Sequence, residues 1–303
     1  MKTTNVLYTL LIFFCCVPIL TAQDLLSKLD NEFPKEDLNT IATFKTTRIG
    51  LGHSIETRKQ GTLEISMYNR YWNHKEGTTQ SFLADEVNIR FGLDYAISDN
   101  VAIGVGYSTF DKITDGYLKY KFLHQKKNAK KSPFSMVLLQ TISHRNNEDG
   151  SSNSIYGSVG SGSNIYSFAT QLLIARKFTP KISAQLSPTF ITRSKNFMNN
   201  DDSKNQFALG FGARYKVGGH VSIVSEYYAV LNPMNSVKTY NPFMIGVNWE
   251  VSNLLLQFHM TNARNFAEDT FIPQTTNNFN FHDGNFHFGF NATFVLDLNK
   301  NKL

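Results

Sequence analysis

Two histidines, His259 and His287, stand on consecutive segments that alternate apolar and polar residues, and both fall on the polar phase. A pair of imidazoles on one face suits a metal ion or a proton relay. Two ligands without a third make a weak set, and structural hydrogen bonding competes with that reading. His282 and Asp283, in "FHDGNFH", lie close by at a loop end. Ser143 and His144 are adjacent, so on a strand they point to opposite faces and form no nucleophile–base pair as they stand. "GSVGSGSN" at 157–164 lacks the Gly-Lys-Ser/Thr ending of a phosphate loop, and "GLGHS" and "GFGAR" lack a strand–turn–helix setting. No Gly-x-Ser-x-Gly elbow occurs. These residues define no catalytic group and no metal set, and they ask for no cofactor.

The charged residues on the same polar phase are more informative. Glu64, Arg70, Glu86, Arg90, Asp94, Lys119, Lys121, Arg214, Glu226 and Glu250 recur on strand-like segments and mix both signs. In a narrow barrel such charges neutralise one another as a packed polar core, and in a wider one they line a water path and select solutes. Lining candidates are therefore Glu86, Arg90, Asp94, Lys119, Lys121, Arg214, Glu226, His259 and His287.

The elements that must position them begin at residue 62. Period-two segments of roughly ten residues follow one another, separated by Gly, Asn, Asp, Ser and Pro. The pattern predicts strands at 62–71, 86–96, 101–110, 116–124, 134–144, 165–178, 181–193, 206–216, 220–230, 241–250, 253–262 and 285–297. In 86–96, Val87, Ile89, Phe91, Leu93 and Tyr95 oppose Glu86, Asn88, Arg90, Gly92 and Asp94. A soluble β-sandwich and a membrane barrel both give this alternation. Strand length matches a tilted bilayer crossing, and aromatics in "YNRYW" and "SEYY" sit where interfacial girdles belong, so the barrel is preferred. The connections alternate between long and short, with "QKKNAKKSP" the exception. Twelve strands give an even number and place both chain ends on the short-turn side. The expected fold is thus all-β, a transmembrane antiparallel up-and-down barrel of about twelve strands, porin-like in type.

That parity decides how to read "ATFKTTRIGLGHSIE" at 42–56, which looks like a first strand. A thirteenth wall strand would make the count odd. The stretch is therefore expected in the periplasm or inserted in the lumen, as a plug whose Lys45, Arg48 and His53 face Asp94, Glu86 or Glu226.

Residues 1–22 read as a cleaved signal peptide: a basic start at Lys2, an apolar core, and Thr21-Ala22 before Gln23. Cys15 and Cys16 both lie inside it, so the mature chain is expected to hold no thiol. Lys plus Arg exceed Asp plus Glu by 30 − 24 = 6 among 303 residues, a mild and dispersed excess. Its densest cluster is Lys121, Lys126, Lys127, Lys130 and Lys131, a solvated turn or a contact with anionic headgroups or phosphates. Basic residues are not interleaved with stacking aromatics, so nucleic acid is not an expected partner.

"ATFKTTRI", "NIRFGLDYAISDN", "DGYLKYK", "QLLIARKF", "YNPF", "HMTNAR" and "GNFHFGFN", in this order, resemble the outer-membrane-type β-barrel family of Bacteroidota known as domain of unknown function 5777. The resemblance covers nearly the whole mature chain. It implies a single barrel in the outer membrane and brings no assigned activity or catalytic residues. The C-terminus departs from the usual barrel pattern, since "VLDLNKNKL" does not end on an aromatic residue and would move the assembly signal to Phe290–Leu298.

The organisation expected is a signal at 1–22, a periplasmic tether and lumen plug at 23–61, and the barrel at 62–303. Outer-membrane lipid is the expected surrounding, with a small solute or a periplasmic protein as partner. Three functions stand open: a small-solute channel or lipid-handling barrel, a non-conducting barrel anchoring a periplasmic or surface complex, and a membrane-embedded hydrolase.

Overall fold

A computed structural model describes residues 38–73, 84–127, 132–145, 165–194, 203–235, 237–280 and 287–299. The expected signal at 1–22, the expected tether up to residue 37, Lys130, Lys131, residues 157–164, His282 and Asp283 lie outside the described residues.

The alternating segments form strands because one side of each buries polar side chains while the other carries β-branched, leucine and aromatic residues to an apolar surround. In chain order they are β1 (Thr62–Trp72), β2 (Glu86–Ala96), β3 (Val101–Ser108), β4 (Ile113–Leu123), β5 (Ser135–Arg145), β6 (Ile165–Lys177), β7 (Ile182–Arg193), β8 (Asn205–Lys216), β9 (Val221–Val230), β10 (Phe243–Val251), β11 (Leu254–Thr261) and β12 (His287–Asp297). Each pairs antiparallel with its sequence neighbours, and β1 pairs with β12 from Thr62↔Asp297 to Tyr71↔Phe288, which closes the barrel. Closure leaves no unpaired edge, the condition for a sheet to stand in hydrocarbon. It excludes the sandwich.

Two irregularities interrupt the ladders. The β6–β7 ladder is interrupted between Gln171↔Thr189 and Ile174↔Leu186, where Pro188 brings no amide hydrogen. The β4–β5 register shifts between Lys121 and Leu123.

The polarity is inverted relative to a soluble sheet. Phe91, Leu93, Val105, Leu118, Leu138, Phe211 and Val247 are exposed on the outside, while Glu64, Arg70, Asn88, Arg90, Lys119, Gln171, Arg214 and Glu226 are buried inside. Tyr95, Tyr120, Tyr215 and Trp249 are exposed toward the rim of the short turns, and Tyr107, Tyr166 and Tyr227 toward the rim of the long loops. The turns at 97–100, 178–181, 217–220 and 252–253 share one rim with the chain ends of the wall, where Gly61 N donates to Ala96 O and Leu298 N to Gly61 O.

The loop after β11 holds the one helix among the described residues, α1 (Glu268–Gln274), and all seven of its residues are buried. Nothing in the sequence pattern separates this loop from a solvated one.

The outward face predicts its own sensitivity. Leu186, central in β7 and flanked by Ile174 and Phe211, faces outward. Replacing Leu186 by Arg is expected to destabilise the barrel by about 2–4 kcal/mol in a bilayer. Denaturant unfolding in lipid vesicles, with Leu186→Ala as the control for lost side-chain volume, reads this.

Candidate functional site

The lumen is occupied from both rims. From the turn rim, Asn39 forms a bridge with Lys126 and Thr40 N donates to Gln125 O at 2.7 Å. Lys177 Nζ donates to Ile41 O at 3.0 Å, and Arg214 Nη1 donates to the carbonyls of Ala42 and Thr43, each at 3.0 Å. The chain then rises into the barrel and turns back as a tight hairpin. Arg48 bridges His53, Ser54 N donates to Thr47 O, and Ile49 N donates to Gly52 O. It returns to the same rim, where Thr57 Oγ1 and Gln60 N bond Asp99.

Local sequence allows this hairpin because its tip is Gly50-Leu51-Gly52. A Cβ on Gly50 would run into Met244 Cε, and one on Gly52 into the Tyr228 hydroxyl. Glycine permits the close approach of backbone to wall.

Wall side chains grip the backbone of this insert. Lys119 Nζ donates to the carbonyls of Thr47, Ser54 and Glu56 at 3.0, 3.1 and 3.1 Å. The Glu226 carboxylate accepts from Leu51 N and from Gly52 N, the latter at 3.2 Å. Gln185 Nε2 donates to His53 O at 2.8 Å and Gln257 Nε2 to Ile49 O at 2.6 Å. The apolar side chains of the insert, Phe44, Ile49, Leu51 and Ile55, pack in one cluster with inward Val137, Leu139, Leu173, Ile191, Val224 and Met244. Each such burial is worth about 1.5–3 kcal/mol, so the four together hold the insert by something on the order of 6–12 kcal/mol.

From the loop rim, the segment after β11 folds inward. Arg70 Nη1 donates to the carbonyls of Ala263 and Asn265, and its guanidinium lies 4.2 Å from the centre of the Phe266 ring. Ser143 Oγ donates to Asp269 Oδ2 at 2.7 Å. Phe271 and Ile272 join the same apolar cluster as the first insert. The two inserts meet at one carboxylate. Glu268 Oε1 lies 3.3 Å from Arg48 Nη1 and 3.7 Å from His53 Nε2, and Arg48 also donates to Phe266 O. Burial holds the His53 imidazole well below its usual range, with Arg48 and Lys119 adding to the effect, and burial raises the Glu268 carboxyl. Arg48 is thus the cation that opposes Glu268 in this contact.

The expected lining residues Arg90, Asp94, Lys119, Lys121, Arg214, Glu226, His259 and His287 are all buried on the inner face, and Glu86 is half-buried at the loop end of β2. Several pairings differ from expectation. Lys45, Arg48 and His53 do not meet Asp94, Glu86 or Glu226. Lys45 pairs with Glu250 at 2.9 Å because it stays near the turn rim, whereas Arg48 and His53 reach Glu268, which the inward loop brings to them. Glu226 instead binds backbone. Arg90 pairs with Asp115 inside the wall, Nε to Oδ1 at 2.8 Å.

The two histidines on the polar phase do not form a pair. His259 is opposite Gly289 and folds over it, while His287, opposite Thr261, accepts from Asn277 Nδ2 at 2.9 Å and Arg264 Nε at 3.4 Å. Among the described residues no three or more His, Cys, Asp or Glu gather as a metal set. His144 lies against the Tyr166 ring, on the opposite face from Ser143. Gln185 and Gln257 were legible as inward positions. Asp115 lies on the inward phase of β4, and for Glu268 and Asp269 the sequence offers no periodic signal.

A cavity of about 350 Å³ opens at the turn rim, lined by Phe44, Lys45, Glu56, Arg58, Glu250 and Leu255 among others. Two spaces deeper in the lumen hold about 10 Å³ each, room for about one water.

A closed antiparallel barrel with an apolar outer belt and a polar, filled interior is a membrane β-barrel protein. The chain belongs to the membrane bound beta barrel domain family (DUF5777), whose model matches residues 44–296 and so takes in the hairpin insert together with the wall. No curated protein matches the sequence. Among solved structures the chain is similar to a KdgM porin (TM-score 0.46, 10% identity, 76% of this chain and 98% of that one). It is also similar to an outer membrane channel from Pseudomonas putida F1 (TM-score 0.45, 13% identity, 80% and 98%) and to a NanC porin (TM-score 0.43, 6% identity, 77% and 98%). At such identities the likeness concerns the barrel fold alone.

Two outcomes follow from the site. Arg48→Met or Glu268→Gln alone leaves a buried charge unpaired or weakly paired and is expected to cost about 3–5 kcal/mol, with much of the loss recovered in the double variant. A double-mutant cycle by denaturant unfolding measures the coupling. Gly50→Val overpacks the hairpin tip against Met244, expected at about 1–3 kcal/mol. It should make the chain cleavable by trypsin at Lys45 and Arg48 in the folded barrel, whereas the parent hairpin resists.

Proposed function

We propose that the protein is an outer-membrane channel for small polar solutes, closed in this conformation by residues 42–58 and by the loop carrying α1. The turn rim then faces the periplasm, as the short turns and shared chain ends favour. The observation that carries this reading is what the wall binds. Lys119, Glu226, Gln185, Gln257 and Arg214 all bond backbone groups of the insert; among the described residues Lys119 and Arg214 bond nothing else, while Gln185, Gln257 and Glu226 also reach Ser187, Asn248 and Tyr228 on the wall. A permanent polar core pairs wall with wall, as Arg90 and Asp115 do. A wall built to hold a backbone keeps a mixed-charge lining available to water and solute once that backbone leaves. Because apolar burial holds the hairpin, the closed state dominates unless a force or ligand at the turn rim offsets that burial.

A second reading rests on the same apolar cluster. Phe44, Ile49, Leu51 and Ile55 packed with wall residues resemble a fixed core, which suits a silent barrel that anchors a partner.

Planar-bilayer recording separates the two. The parent protein is expected to be mostly silent, and a barrel lacking both residues 43–58 and the inward loop 264–277 to conduct steadily with salt-dependent selectivity. A disulfide joining Gly50→Cys to Met244→Cys, positions whose side chains point at each other, should silence the remaining openings until reduced. If the deleted barrel is folded, judged by its heat-modifiable gel mobility, and still passes no current, the channel reading fails and the anchor reading stands.

A further inference from the structure

The turn rim is electrostatically lopsided. From Lys121 to Ser135, from Ile174 to Ala184 and from Gly212 to Ser222 the sequence has no Asp or Glu. These spans contain the turns β4–β5, β6–β7 and β8–β9 and carry His124, Lys126, Lys127, Arg176, Lys177, Lys181, Arg214, Lys216 and His220. The acids of this rim lie off these three turns: Asp99 on another turn, Asp297 at the end of β12, Glu250 on β10 paired with Lys45, and Glu56 on the hairpin insert, 3.9 Å from Lys121. Within the basic arc, Lys177 and Arg214 turn inward to the backbone of the hairpin insert. Arg176 does not.

Arg176 shares the outward phase of β6 with Tyr166, Phe168 and Leu172, so its guanidinium stands on the surface that faces lipid. Among the described residues it has no carboxylate partner. Its guanidinium carbon lies 5.3 Å from the centre of the Phe178 ring, and its Nε is buried without a hydrogen-bond acceptor. Its cross-strand neighbour is Ala184, which leaves space beside it. The pair Ser135↔Ala175 puts Phe134 next to it on the other side. Phe134, Phe178 and Ile182 are all exposed here, and Lys181 is exposed on the adjoining turn. A cation on the lipid face is tolerated at headgroup depth, where a phosphate completes its hydrogen bonds.

We propose that this arc binds anionic phospholipid, with Arg176 and Lys181 on the phosphate and Phe134, Phe178 and Ile182 under the glycerol and upper acyl chains. The apolar floor beside the unpartnered guanidinium is what selects a lipid over a soluble phosphate. The inference is independent of whether the lumen conducts.

Native mass spectrometry of the detergent-solubilised full chain tests it, with equal phosphatidylglycerol and phosphatidylcholine added. Phosphatidylglycerol adducts are expected to be retained preferentially. Each cation contributes a factor of roughly five, so Arg176→Gln with Lys181→Gln should lower the preference by more than about tenfold. Arg176→Lys should keep most of it, and Lys204→Gln on the opposite rim should leave it unchanged. Excess inorganic phosphate should not displace the lipid. Equal retention of the two lipids, an unaltered preference in the folded double variant, or displacement by inorganic phosphate would each overturn the proposal.

Discussion

A closed twelve-stranded sheet encloses more volume than its own inward side chains fill, and it must do so with every backbone group paired. The rest of this structure depends on how that volume is occupied. The wall alone would expose Lys119, Glu226, Arg70 and Arg214 to one another across a gap. Instead two chain segments enter and supply acceptors, donors and apolar bulk. Lys119 receives three carbonyls, Glu226 two amides, and Arg70 two carbonyls and an aromatic face.

The interior is divided accordingly. Toward β5–β10 the lining sets an apolar patch of Val137, Leu139, Leu173, Ile191, Val224 and Met244 among polar residues, and this apolar arc receives Phe44, Ile49, Leu51, Ile55, Phe271 and Ile272. Toward β1–β4 it is charged, with Glu64, Arg70, Arg90, Asp94, Asp115 and Lys119. The hairpin insert is amphipathic in the same sense. Its isoleucines and leucine meet the apolar arc, while Thr47 and Arg48 face Glu64 and Glu268. The Arg48–Glu268 contact joins a segment rooted at one rim to a segment rooted at the other, so displacement of either insert removes the charge partner of the other.

Much of the barrel was legible because a strand's period is local. Val87, Ile89, Phe91, Leu93 and Tyr95 declare one face wherever the strand goes, and twelve such segments declare a wall. Loop lengths ordered the rims, and strand parity removed residues 42–56 from the wall. The inward placement of Arg90, Lys119, Glu226 and His259 follows from the same period. The partners of those residues do not, because a lumen contact joins residues far apart in the chain: Arg48 and Glu268 are 220 positions apart.

The sequence by itself determined the strands, their facing and their number, since each rests on residue type at fixed local spacing. Only the tertiary structure decided that the loop after β11 turns inward as α1, that Glu268 rather than Asp94 receives Arg48, and that His259 and His287 serve separate environments. Those outcomes depend on the space left inside a closed barrel, and that space exists only once the first and last strands have met.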